Sequence, residues 1–222
     1  MTSRILHIVL DSFPRILLPG LRVTLPLTVM AFSAALVIAI ISALIQYADI
    51  PVLKDLIRFY IWVIRGTPLL VQLFVVFYGL PGVGILIDPF PAAVIVFSIN
   101  EGAYAAETIR AALEAVPYGQ VEAGLSLGLS WIQVMLWIVL PQGMRTAVPT
   151  LGNELISMVK DTSLAANITV MEMFMSTQRI VARTYEPLIL YCEVGVIYLM
   201  FSTILSILQR KAEARLAASG KR

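Results

Sequence analysis

The chain has 222 residues, of which 59% are hydrophobic and only 14% are charged. Soluble domains contain about 45–50% apolar and about 25% charged residues, so this composition predicts an integral membrane protein with several spans. The net charge of +2, without a basic run, gives no indication of nucleic-acid binding. One cysteine, Cys192, excludes an intrachain disulfide, and one histidine, His7, cannot form a metal site by itself.

The N-terminal segment does not have the pattern of a signal peptide. Asp11, Pro14 and Arg15 interrupt its apolar run, and no cleavage site of small residues follows. Apolar residues from Ile5 to Ile16 recur on one helical face, which predicts an interfacial helix.

Five segments are predicted to cross the membrane, at about 23–45, 56–80, 91–112, 146–164 and 188–208. The first and fifth follow from length and hydropathy. The second, third and fourth contain charged residues and are predicted from their context. Gly66-Thr67-Pro68 is predicted to break the second span, with Arg65 reaching the cytoplasmic interface. Packing and gating are equally compatible with such a kink.

The distribution of lysine and arginine predicts an orientation with the N-terminus outside and the C-terminus inside. The inside then holds Lys54, Arg58, Arg65, Arg110, Arg145, Arg210, Lys211, Arg215, Lys221 and Arg222. The outside holds Arg4, Arg15, Arg22, Lys160, Arg179 and Arg183. The external loop at 79–91 has neither residue type. This orientation places the segment at about 115–145 on the cytoplasmic side, between spans three and four.

That cytoplasmic segment contains WIQVMLWIVL, which is as apolar as a membrane span but only about 15 Å long as a helix. We predict two short helices here, the first over about 117–127, with Gly128 in the left-handed turn that ends it. Ser130 and Gln133 have the spacing of a capping box that starts the second helix at Trp131. Pro141 is expected to kink or end that helix, leaving it interfacial or half-inserted.

Three interpretations of this segment remain open. It could be an amphipathic helix on the membrane surface. It could be a short helix offered to the groove of a cytoplasmic partner. Finally, Gly124 and Gly128 have the spacing of a helix-dimerisation face.

The same segment contains a spaced motif, formed by Glu122, Ala123, Gly128, Ile138, Leu140 and Pro141. These residues follow the pattern EAA, three residues, G, nine residues, I, one residue and LP, with Gly124 where the pattern has alanine. The motif resembles the cytoplasmic loop of binding-protein-dependent ABC transporter permeases. In that family the loop docks on the ATP-hydrolysing subunit. The resemblance therefore implies a coupling role for Glu122, Ala123, Gly124, Gly128, Ile138, Leu140 and Pro141.

Other stretches look like the polar-amino-acid branch of these permeases, among them RGTPLLVQ from Arg65 and KDTSL from Lys160. The resemblance covers about residues 20–208. It implies an all-α, MetI-like permease fold with five transmembrane helices, in the bacterial cytoplasmic membrane. It also implies a second permease chain, identical or related, two ATPase subunits, an extracytoplasmic binding protein and a polar amino acid as substrate. ATP and Mg²⁺ would be bound by the ATPase, and this chain would bind no cofactor.

Two polar stripes with the same spacing lie in spans three and four. The first comprises Asn100, Glu101, Tyr104, Glu107 and Thr108, and the second comprises Asn153, Glu154, Ser157, Lys160 and Asp161. Each stripe occupies one face of a helix. Because polar residues inside a membrane are costly, they predict a substrate path. Its candidate residues are Asn100, Glu101, Tyr104, Glu154, Ser157, Asp161 and Ser163.

Glu101 and Asp161 are candidate acceptors for a substrate ammonium group, and Lys160 or a helix N-terminus could bind its carboxylate. Asn100, Tyr104 and Ser163 would orient the substrate. The alternative is that the stripes form ion pairs between or within helices, and Glu107 with Arg110 has the spacing for such a pair.

The leading prediction is the membrane-spanning subunit of an ABC importer, with no catalytic residue. The first alternative is a self-sufficient channel or ion-coupled transporter that uses the cytoplasmic segment as a re-entrant loop. It is disfavoured because the chain has no internal repeat. An intramembrane enzyme is a second alternative, and no metal cluster or nucleophile–base pair supports it.

Overall fold

The computed structural model describes residues 2–219, with the side chains of residues 4–215, so that Lys221 and Arg222 lie outside the described residues. The all-α prediction is confirmed, since residues 2–219 form helices and no strand. The α-helices are α1 (Thr2–Pro19), α2 (Leu25–Tyr47), α3 (Leu53–Arg65), α4 (Leu69–Phe74), α5 (Pro89–Glu114), α6 (Tyr118–Ser126), α7 (Trp131–Val134), α8 (Leu140–Asp161), α9 (Met173–Thr184) and α10 (Pro187–Ser219).

Three π-helical turns, each followed by a Leu-Pro pair, join helices into longer runs. They span Gly20–Thr24, Val75–Gly79 and Met135–Val139. In each, the leucine N–H bonds to the carbonyl five residues earlier. Proline has no N–H and its ring crowds the carbonyl four residues before it, so a wider turn relieves the conflict. The chain thereby continues in helical form past each Leu-Pro pair.

Pro141 was predicted to kink or end the helix of WIQVMLWIVL, and the second of these alternatives is wrong. The π-helical turn Met135–Val139 connects α7 to α8, and the helical run continues from Trp131 to Asp161. The N-terminal helix likewise does not stop before the first span, because the run from Arg4 to Tyr47 is continuous. In both places the apolar segment is one part of a longer helix.

The second predicted span is broken at Gly66-Thr67-Pro68, as its sequence indicates. Helix α3 ends at Arg65, α4 begins at Leu69, and the two directions differ by 101°. Pro68 has an extended backbone with ψ 136°, which is incompatible with a continuous helix. The break is thus far sharper than an ordinary proline kink.

By length and composition, two helices within the described residues could cross a membrane, Arg4–Tyr47 and Pro187–Arg215. The bent pair that starts at Leu53 and Leu69 would make a third. Helices α5 and α8 carry the polar stripes, so apolar composition alone does not identify them. The count of five spans therefore stays a prediction.

The core is built around α2 and α5, which pack along each other. On α2, Ala31, Ala35, Ala39 and Ala43 are fully buried at intervals of one turn. A Cβ atom on Gly102 of α5 would lie 2.9 Å from Cγ2 of Ile38. Small residues thus allow the close contact that is typical of membrane helices. Helix α8 packs on both α5 and α10, and α1 packs on α9.

Candidate functional site

The turn between α6 and α7 is formed by local hydrogen bonds. Gly128 has φ +80°, the predicted left-handed conformation. Its N–H bonds to Leu125 O, and the N–H of Leu129 bonds to Gly124 O, which makes a Schellman motif. Both capping-box bonds are present, from Gln133 N to Ser130 Oγ at 3.3 Å and from Ser130 N to Gln133 Oε1 at 2.8 Å.

Gly124 is a point of close contact between α6 and the helical run that begins at Trp131. A Cβ atom there would lie 2.8 Å from Cγ2 of Val134 and 2.9 Å from Cδ1 of Ile138. This proximity explains why glycine replaces the alanine of the family pattern. Because Gly124 is already buried within its own chain, the interpretation of Gly124 and Gly128 as a dimerisation face is wrong.

The seven predicted coupling residues divide into an exposed and an inner group. Glu122, Ala123, Gly128 and Pro141 are exposed, whereas Ile138 and Leu140 are half-buried and Gly124 is buried. Leu125 and Leu127, at the end of α6 and just beyond it, add apolar surface, with exposed fractions of 43% and 81%. The inner group therefore holds α6 on the longer helix, and the outer group presents a surface of mixed polarity.

The polar stripes of α5 and α8 come together in the structure. Thr108 Oγ1 donates to Glu154 Oε1 at 2.7 Å. Glu101 lies within electrostatic range of both Glu154 and Asp161. One carboxylate oxygen of Glu101 and one of Glu154 are buried without a hydrogen-bond partner. Three carboxyl groups from two helices thus form an acidic cluster with unused acceptors.

The other predicted path residues lie in different surroundings. Tyr104 and Ser157 are exposed, and Ser163 is half-buried in the 3₁₀ helix Thr162–Ile168. The guanidinium of Arg65 lies 5.1 Å from the centre of the Tyr104 ring, a cation–π contact. Asn100 is buried and donates from Nδ2 to Gln72 Oε1 at 3.0 Å. This bond directs the Asn100 amide to α4 rather than to the acidic cluster.

Gln72 bridges the break between α3 and α4, a role that sequence reasoning missed. Its Nε2 donates to Ile64 O at 2.9 Å, to Thr67 Oγ1 at 2.9 Å and to Thr67 O at 3.2 Å. Its Oε1 accepts the bond from Asn100. The only sequence signal was the position of Gln72 at the end of the RGTPLLVQ run, which gave no partner.

The predicted pair of Glu107 and Arg110 is confirmed, with N–O distances of 3.1 and 2.9 Å. Arg110 also donates to Glu114 at 2.7 Å, and Arg65 Nη1 lies 3.9 Å from Glu107 Oε2. Arg65, which was predicted to reach the cytoplasmic interface, thus joins an ion-pair network on α5. Of this network, the sequence indicated only the pair of Glu107 and Arg110.

Glu172, which precedes α9, is a second site that the sequence analysis missed. It is fully buried, and its two carboxylate oxygens accept bonds from the N–H groups of Phe174 and Met175 at 2.8 and 2.7 Å. Tyr198 Oη donates to it at 2.9 Å. Burial raises the pKa of Glu172 to about 7, although these hydrogen bonds oppose that shift. Glutamate is uncommon as a helix N-cap, so the sequence gave no signal.

Comparison with known proteins gives consistent results. Residues 35–218 match the family model described as "Binding-protein-dependent transport system inner membrane component". The L-cystine transport system permease protein TcyB of Bacillus subtilis (strain 168) is 43% identical over 210 residues, 94% of this chain and 90% of that protein. The glutamine transport system permease protein GlnP of Escherichia coli (strain K12) is 36% identical over 203 residues, 90% of this chain and 93% of that protein.

Solved structures show the same fold. An amino acid ABC transporter with histidines superposes with a TM-score of 0.86 and 34% identity, covering 93% of this chain and 96% of that chain. The inward-facing MetNI methionine ABC transporter superposes with a TM-score of 0.75 at 15% identity, over 97% of this chain and 99% of that chain. The second comparison concerns the fold alone.

Proposed function

This chain belongs to the family of binding-protein-dependent transport system inner membrane components and is the permease subunit of an amino-acid ABC importer, in which we propose that α6 couples the chain to the ATPase. Helices α5 and α8 then line the substrate path. The observation that carries this proposal is the α6–α7 turn. A short helix is fixed against a long one, with Glu122, Ala123 and Leu125 facing outward.

The proposed coupling is mechanical. Gly124 allows close packing on Val134 and Ile138, and Gly128 and the capping box fix the angle between α6 and α7. A push on α6 is then transmitted through α7 to α8, because these two helices form one run. The ATPase, present in two copies, would bind ATP and Mg²⁺ and supply the push. The coupling face would lie in the cytoplasm, with the N-terminus of the chain outside.

The proposed substrates are polar amino acids, delivered by an extracytoplasmic binding protein. Glu101, Glu154 and Asp161 provide acceptors for an ammonium group, since ionised carboxylates form strong charge-assisted bonds. Lys160, next to Asp161 on α8, would provide a donor for the substrate carboxylate. A second permease chain, identical or related, would form the opposite wall. The names of the relatives, which specify cystine and glutamine, support this class of substrate.

Co-purification of the ATPase tests the coupling role of α6. Gly128→Asp should reduce the recovered ATPase at least about tenfold and abolish uptake, because a side chain at φ +80° distorts the turn. Gly84→Asp is the matched control, since Gly84 has φ +85° and open surroundings but lies far from α6 in the chain. Normal ATPase recovery and uptake with Gly128→Asp would refute the coupling role. If folded wild-type protein recovers no ATPase, the channel alternative gains support.

Uptake kinetics test the acidic cluster. Glu101→Gln and Asp161→Asn should each lower uptake about tenfold, because a charge-assisted bond contributes roughly 1.5–3 kcal/mol. ATPase recovery should stay at the wild-type level. Asp55→Asn, at an exposed position of α3, controls for the loss of a carboxylate. Unchanged kinetics in both cluster variants would remove these residues from the path.

A further inference from the structure

A cavity of about 280 Å³ lies between α1 and α9, away from the coupling face and the acidic cluster. Its polar lining comprises Asp11, Arg15, Ser176, Arg179, Arg183 and Thr184. Helix α8 has 22 residues and is therefore about 33 Å long, close to the thickness of a hydrocarbon core. Because α6–α7 precedes α8 and α9 follows it, the cavity lies at the opposite end of the molecule from α6.

The cavity has an excess of positive charge. Arg15 forms an ion pair with Asp11 at 2.8 Å, one turn away on α1. Arg179 and Arg183 are both exposed and one turn apart on α9. Among the side chains of residues 4–215, no carboxylate lies within 4.0 Å of either guanidinium. Two arginines therefore remain available to an anionic ligand at one site.

These arginines stand where the orientation of the chain disfavours them. In the proposed orientation they lie on the outer side, and lysine and arginine are normally concentrated on the cytoplasmic side. A pair of arginines kept there is best explained by a specific anionic partner. Guanidinium groups match the geometry of phosphate oxygens, with which they form paired hydrogen bonds.

The surface next to the cavity favours a lipid as that partner. Leu18 of α1 is 46% exposed and lies one turn beyond Arg15, and Met171, which lines the cavity, is 37% exposed. They would lie against acyl chains while the arginines bind the headgroup. Basic pockets between transmembrane helices bind anionic headgroups on the cytoplasmic side of membranes, and the same charge pairing applies at this cavity.

We propose that the α1–α9 cavity binds the phosphate headgroup of an anionic phospholipid. Arg179 and Arg183 donate to the phosphodiester oxygens, Arg15 closes the side next to α1, and the acyl chains pack on Leu18 and Met171. The lipid thereby fixes α9 against α1 at the membrane surface. This site requires only the orientation given above and is independent of the transported substrate and of ATPase coupling.

Binding of fluorescent phosphatidylglycerol to the detergent-purified chain tests the proposal. The double variant Arg179→Gln/Arg183→Gln should weaken binding at least about tenfold. The matched control is Arg4→Gln/Arg22→Gln, which removes two exposed arginines that are assigned to the same side and do not line the cavity. Its affinity should stay within about twofold of wild type. Arg179→Lys/Arg183→Lys should retain part of the binding, because lysine keeps the charge but loses the paired geometry.

Competition experiments identify the source of the phosphate group. Short-chain phosphatidylglycerol should displace the probe at concentrations where inorganic phosphate does not. Equal displacement by inorganic phosphate would overturn the lipid assignment in favour of a free anion. Equal weakening of lipid binding in Arg179→Gln/Arg183→Gln and in its matched control, or weakening in neither, would refute the site. If Arg179→Gln/Arg183→Gln keeps lipid binding but no longer recruits the extracytoplasmic binding protein, the two arginines would be assigned to that protein instead.

Discussion

The α6–α7 turn and the α3–α4 break are both marked by glycine and followed by apolar helix, yet they are held in different ways. The α6–α7 turn is stabilised by its own backbone and by Ser130 and Gln133, three residues apart. The α3–α4 break is stabilised by Gln72, which reaches back to Ile64 and Thr67 and is itself bound by Asn100, 28 residues away.

This difference indicates what each region can do. A turn specified by adjacent residues keeps its shape when its surroundings move, which suits an element that transmits a push. A break that depends on a distant helix changes when that helix moves. The α3–α4 break is thus suited to respond to a shift of α5, whereas the α6–α7 turn is suited to cause one.

The largest expected effect comes from separating α6 from the helix on which it rests. Gly124→Leu should destabilise the folded chain by roughly 1–3 kcal/mol, because the added side chain would overlap Val134 and Ile138. Thermal unfolding in detergent measures this change, and limited proteolysis near α6 should become faster.

Gly119→Leu is the matched control on the same helix, since a Cβ atom at Gly119 would meet nothing within 4 Å. Its melting temperature should be unchanged or slightly higher, because leucine has the greater helix propensity. Equal stability of the two variants would show that the contact at Gly124 does not fix α6.

A smaller effect is expected from the break itself. Gln72→Ala should cost about 1–2 kcal/mol, because it leaves the backbone carbonyl groups of Ile64 and Thr67 without this donor. In a double-mutant cycle, Gln72→Ala and Asn100→Ala should be non-additive by about 1 kcal/mol. Asn167→Ala, whose amide bonds only locally to Leu164 O, should be additive with Gln72→Ala.

The same cycle separates two roles for Asn100. If Asn100 acts through Gln72, both single variants lower stability and leave the uptake KM unchanged. If Asn100 contacts the substrate, as the sequence analysis predicted, only Asn100→Ala raises the KM. Additivity of the two changes would show that the bond at 3.0 Å contributes little.

Local signals explain most of what the sequence could predict. Gly128, the Ser130–Gln133 capping box and the Gly66-Thr67-Pro68 break each depend on neighbouring residues, and the structure has all three. The continuation of the helix through Pro141 was not predictable in this way. Whether a proline ends a helix depends on the width of the preceding helical turn, and no residue in WIQVMLWIVL predicts a π-helical turn.

Long-range partners were beyond the sequence for a different reason. The matching stripes of α5 and α8 indicated two helices of one path, but not which polar residues would contact each other. Thr108 bonds to Glu154, whereas Asn100 bonds to Gln72 on another helix. A helical wheel gives the direction of a side chain from its own axis, and the neighbour on that side is decided by tertiary packing.

The last prediction compares the two helix N-caps, Ser130 and Glu172. Ser130 is exposed and uncharged, so its cap should not respond to pH. For Glu172, burial raises the pKa from 4.5 to about 7. Between pH 4.5 and about pH 7, Glu172 therefore keeps its proton in the folded chain, whereas the unfolded chain has lost it. Stability from this group is therefore fully present below about pH 4.5, falls as the pH rises towards 7, and is constant above it.

Thermal unfolding between pH 5 and pH 8 measures this effect as the difference between wild type and Glu172→Gln. That difference should change by a few degrees up to about pH 7, with wild type losing stability relative to the variant, and then level off. Glu186→Gln, at a half-buried glutamate beyond the other end of α9, controls for the loss of a carboxyl group. A difference that stays constant from pH 5 to pH 8 would mean that the bonds from Phe174, Met175 and Tyr198 outweigh burial and hold the pKa of Glu172 at or below its usual value. In that case Glu172 would be an ionised cap, like Ser130 in having no pH response near neutrality.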